Sequence, residues 1–63
     1  MQTIVFYATL NNGLKVCVWW LPDDCVYYVE VIDINNICDE RMDIHIKEAK
    51  GVLSYLSELQ HYK

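Results

Sequence analysis

The side chains able to do chemistry here are three cysteines (Cys17, Cys25, Cys38), two histidines (His45, His61) and nine carboxylates. A structural zinc site needs four ligands, which usually arrive in close pairs such as C-x-x-C. No such pair occurs, and Cys17 and Cys25 fall on different expected strands, so no metal site is expected. Cys38 precedes His45 by seven residues, a spacing that invites a thiol nucleophile and its base. A reactive thiolate needs an electropositive setting, but Asp39 and Glu40 follow Cys38 directly and would raise its pKa. Asp39, Glu40 and Asp43 cluster around Arg41 and could act as acid and base. Such work needs a concave, partly dry site, and 63 residues leave little room for one inside a single chain. His61, near the end of the last element, reads as a favourable helix-end charge. No glycine-rich phosphate loop, G-x-S-x-G or H-E-x-x-H is present. The chain is therefore expected to be non-enzymatic and to need no cofactor.

Charge narrows the partners. The formal net charge is −4, and only Lys15, Arg41, Lys47, Lys50 and Lys63 are basic. Binding to nucleic-acid phosphates or to an anionic membrane wants clustered Lys and Arg, so neither is an expected partner. Aromatic residues on a sheet can stack bases, yet the relevant face here offers Lys15 together with Glu30. The acidic residues Asp23, Asp24, Asp33, Asp39, Glu40 and Asp43 suggest a different role, imitation of a phosphate backbone by an inhibitor of a nucleic-acid-binding protein. No apolar run is long enough to span a membrane. The N-terminal residues lack a basic segment and a small-residue cleavage site, so no signal peptide is expected. An odd number of scattered cysteines fits free thiols in a reducing, cytoplasmic setting.

The elements that must carry any function lie mainly in the first half of the chain. Residues 3–10, 14–21 and 25–33 are rich in β-branched and aromatic types and read as strands. Asn11-Asn12-Gly13 suits a three-residue hairpin loop, with Gly13 in the left-handed position. Leu10 then faces Leu14. One face pairs Thr9 with Lys15, Tyr7 with Cys17 and Val5 with Trp19. The other pairs Ala8 with Val16, Phe6 with Val18 and Ile4 with Trp20. A two-residue Asn12-Gly13 turn would shift this pairing and set Lys15 against Leu10. Pro22-Asp23-Asp24 ends the second strand, and its turn sets Trp20 against Tyr27, Val18 against Val29 and Val16 against Val31. Both turns leave the same face uncharged.

Asn35-Asn36 marks a turn in the connector that follows, and Ile37 and Met42 are expected to tuck beneath the sheet edge. Residues 42–46 alternate apolar and polar types and suit a short fourth strand. A helix spans about 47–61, or begins at Ile44 if Asp43 caps it. Ile46, Ala49, Val52, Leu53, Leu56 and Leu59 recur on one side of it. Gly51 costs ~1 kcal/mol relative to Ala in a helix interior, and close approach of a neighbour would explain it.

These elements make a single α+β domain: a three- or four-stranded antiparallel β-meander with one C-terminal α-helix packed on one face. The helix is expected to cover Phe6, Val18, Trp20, Val29 and Val31. That leaves an aromatic face of Tyr7, Trp19, Tyr28, Val5, Val26 and Ile32 with no cover. Burying ~300 Å² of such surface is worth about 7 kcal/mol before association costs, and a domain this small is only marginally stable alone. The expected function is a protein–protein interaction module that forms a homodimer or docks this face on a target protein. Small inhibitors of host or defence enzymes carried by phages and mobile elements share the broad outline. Besides the nucleic-acid mimic, the other alternative is a ligand-binding or enzymatic oligomer whose site lies between subunits.

Overall fold

The computed structural model describes residues 1–33, 35, 37 and 42–61. Four strands, β1 (Thr3–Thr9), β2 (Lys15–Leu21), β3 (Val26–Ile32) and β4 (Ile44–Ile46), precede one helix, α1 (Ala49–Leu59). The strands form one antiparallel sheet in the order β1-β2-β3-β4. This is the expected α+β meander with its C-terminal helix, and the alternating segment before the helix does form the fourth strand. The helix is shorter than the expected 47–61, and Glu48 rather than Asp43 occupies its N-cap position.

Turn chemistry sets the register. Gly13 takes φ 91°, and the loop closes through Leu10 N–H donating to Leu14 O (2.7 Å) and Gly13 N–H to Leu10 O (3.0 Å). Thr9 opposite Lys15, Ala8 opposite Val16, Tyr7 opposite Cys17 and Phe6 opposite Val18 all follow as expected. The expected Val5–Trp19 and Ile4–Trp20 pairs do not form. A bulge between Ile4 and Phe6 inserts one extra residue, so Ile4 meets Trp19 and Thr3 meets Trp20. The second hairpin matches its expected register throughout. Its four-residue loop bends through Cys25, a non-glycine residue at φ 53°.

The core is small. Val16, Val18, Val29 and Val31 are fully buried on the uncharged face, and Val52, Leu56 and Leu59 pack on them from α1. Each buried valine contributes on the order of 1.5–3 kcal/mol. The helix lies over β3 and β4, not over the whole face. Leu53 is consequently 67% exposed, although its spacing groups it with the buried stripe. Phe6 and Trp20, expected beneath the helix, are exposed and half-buried. Met42 packs against the core as expected, but Ile37 does not tuck under the sheet and is 60% exposed. Asp33 Oδ1 accepts the Asn35 and Ile37 N–H groups, and Asp33 N–H donates to Ile37 O, which ties Ile37 to the residue that follows β3.

Two long-range hydrogen bonds lock the layers. Asn12 of the first hairpin loop donates its Nδ2 to Leu59 O at 2.7 Å, serving a helix-end carbonyl that has no partner within the helix. Tyr55 donates its hydroxyl to Met42 O, tying α1 to the segment before β4. Gly51 sits against β4, where a Cβ at that position would lie 2.5 Å from Ile46 Cγ2. Gly51→Ala should therefore lower stability by about 1–2 kcal/mol despite the better helix propensity of alanine. Chemical denaturation measures this, and a gain in stability would contradict the packing described.

Candidate interaction surface

Backbone geometry and side-chain exposure single out β1. Among the described residues it is an edge strand with β2 as its one strand neighbour, and α1 packs on the opposite half of the sheet. Four successive large residues on it stand in water: Ile4 at 51%, Val5 at 51%, Phe6 at 45% and Tyr7 at 61% exposure. Strand residues alternate between faces, so exposure of both Phe6 and Tyr7 shows that β1 is uncovered on both faces as well as along its edge. The strand carries no charge and no proline, the usual devices that stop an edge from pairing.

The bulge shapes what the two faces offer. Toward the helix side, Val5 and Phe6 line an apolar groove of about 270 Å³ with Tyr27, Ala49, Val52 and Leu53. Val5 therefore does not join the aromatic face, and Ile4 stands beside Trp19 in its place. On the far side, a more polar cleft of about 440 Å³ is lined by Gln2, Trp19, Leu21, Tyr28, Glu30 and His45. Trp19 and Tyr28 are cross-strand neighbours, as expected. Both are half-buried, as are Val26 and Ile32, leaving Tyr7 the most exposed of the expected interface residues. The polar tips of Tyr28 and Trp19 are engaged. Tyr28 donates to Asp43 Oδ2 at 2.6 Å and stacks against the His45 ring with centroids 4.9 Å apart. Trp19 Nε1 points to Glu30 Oε1 at 3.4 Å.

The described acidic candidates, Asp23, Asp24, Asp33 and Asp43, do not gather on one surface. Asp23 and Asp24 are exposed in the β2–β3 loop, whereas Asp33 lies at the other end of β3, about 20 Å away at ~3.3 Å per residue. Asp33 holds the turn that follows β3, and Asp43 is half-buried between the Val31 N–H (2.9 Å) and the Tyr28 hydroxyl. Asp39 and Glu40 lie outside the described residues, as do Cys38 and Arg41. A structural role for Asp43 was the main reading missed from sequence. Its position just before an alternating β-run, with tyrosines on the neighbouring strand, was the available signal.

Of the cysteines, Cys17 and Cys25 are described and Cys38 is not. Cys17 is buried, and burial together with the Glu30 carboxylate pushes its thiol pKa up, away from the reactive thiolate. Cys25 is exposed in its loop, with its Sγ near Pro22 O. Among the described residues, no three His, Cys, Asp or Glu side chains converge as a metal site would require.

Asp43→Ala should cost on the order of 2–3 kcal/mol of stability, because it removes a charged acceptor from both Val31 and Tyr28. Tyr28→Phe, which loses one of the two bonds, should cost about half as much. Equal, negligible losses in thermal denaturation would mean that Asp43 is only a surface charge. The chain matches no family model, no curated protein and no solved structure.

Proposed function

We propose that this protein is a non-enzymatic protein–protein interaction module that docks through the open β1 side of its sheet. The observation that carries the reading is the run Ile4-Val5-Phe6-Tyr7, exposed on both faces of an uncharged edge strand. Large apolar patches on a small soluble domain mark interaction sites. Tyr7 and Ile4 extend the patch onto the aromatic face beside Trp19, so the lateral edge and that face form one surface. The separation of Asp23 and Asp24 from Asp33 and Asp43 supports apolar docking over imitation of a phosphate backbone. A cytoplasmic role fits the free Cys17 and Cys25. Inhibition of a host or defence enzyme, as by the small acidic proteins of phages and mobile elements, is one task such a module would serve.

The test is hydrodynamic size in native extract. The tagged chain should migrate well above its 7.5 kDa mass and stay in complex at ~0.5 M salt, where exposed charge contacts are screened. The double variant Ile4→Lys, Tyr7→Lys should run as the free chain. A wild-type chain that runs free in extract would remove the proposal, and complexes that dissolve in salt would favour the acidic mimic.

A further inference from the structure

We infer that the missing neighbour of β1 is β1 of a second copy, paired antiparallel about a two-fold axis at Tyr7 to make one continuous eight-stranded sheet. This rests on the docking role of β1 proposed above and names its partner. Parity comes from the first hairpin. Leu10 N–H bonds to Leu14 O, and in an antiparallel ladder residues alternate between bonding the neighbour and turning away. Ala8 and Phe6 therefore turn their backbone groups toward β2, while Tyr7 and Thr9 turn theirs outward to the open side. The bulge at Val5 interrupts the ladder, which leaves residues 6–9 as the regular stretch. An axis at Tyr7 lets the two Tyr7 residues exchange both backbone hydrogen bonds. It also sets Phe6 beside the partner's Ala8, large against small.

Three features favour a copy of this chain over an unrelated strand. The surface is self-complementary, as an isologous contact must be. It carries no charge, so two chains of net charge −4 meet without placing acid against acid. The area available reaches the required range: four large side chains about half exposed, with the strand backbone, offer at most on the order of 500 Å² per copy. The pair then buries roughly 1,000 Å² in total, the lower bound for a specific interface. Assembly also stops at two. The opposite edge, β4, is only three residues long, and a very short edge is a poor template.

Sedimentation of the purified protein, read together with amide hydrogen exchange, tests this. At about 100 μM, a concentration suited to an interface of this size, the chain should sediment as a dimer of twice 7.5 kDa. The Tyr7 amide should be protected. Tyr7→Lys, at a site already 61% exposed, should keep the fold and weaken the dimer at least about tenfold. Leu53→Ser, on the helix, should leave it unchanged. A dimer with a freely exchanging Tyr7 amide, or one broken by Leu53→Ser and not by Tyr7→Lys, would overturn edge pairing. A monomer would overturn the second copy, while complexes in native extract would still uphold docking on a different protein.

Discussion

One helix is too narrow for this sheet. An α-helix with its side chains is about 10 Å across, and neighbouring strands stand ~4.8 Å apart, so a single helix covers about two strands. Here α1 lies over β3 and β4. The core is the valines of β2 and β3 and three helix residues, Leu53 looks into open groove, and β1 lies outside the helix's cover.

The position of the helix is itself determined by local contacts. Gly51 lets α1 approach Ile46 of β4, the Tyr55 hydroxyl reaches Met42 O, and Asn12 holds Leu59 O at the other end. Asp43 anchors the start of β4 to β3. These ties gather at the β3–β4 side and at the hairpin loop. None of them draws the helix toward the strand portion of β1, so hydrophobic surface is left in water where a domain of this size has little stability to spare.

Much of the fold was legible in the sequence because its turns are chemically explicit. Asn11-Asn12-Gly13 admits two registers, of which polarity favours one, and Pro22-Asp23-Asp24 independently sets the same face inward. The bulge at Val5 was not legible: nothing in a run of apolar residues marks which one is extra, and one insertion reverses every pairing beyond it. Leu53 was misplaced for a related reason. Helical spacing shows which residues share a stripe, but not how much sheet that stripe will meet. The surplus of apolar surface was readable from composition and topology. Its concentration on both faces of β1, rather than across the Trp19–Tyr28 face, depended on the helix position, which no local signal encodes.

The most direct test of the missing neighbour is an isotope-filtered NOE experiment on a mixture of labelled and unlabelled chains at millimolar concentration. Edge pairing predicts intermolecular contacts between the Phe6 ring and the Ala8 methyl group, and across the axis at Tyr7. Intermolecular contacts confined to Trp19, Tyr28 and His45, or to Leu53, would contradict it by showing that the molecule associates through a face and leaves the edge of β1 in water.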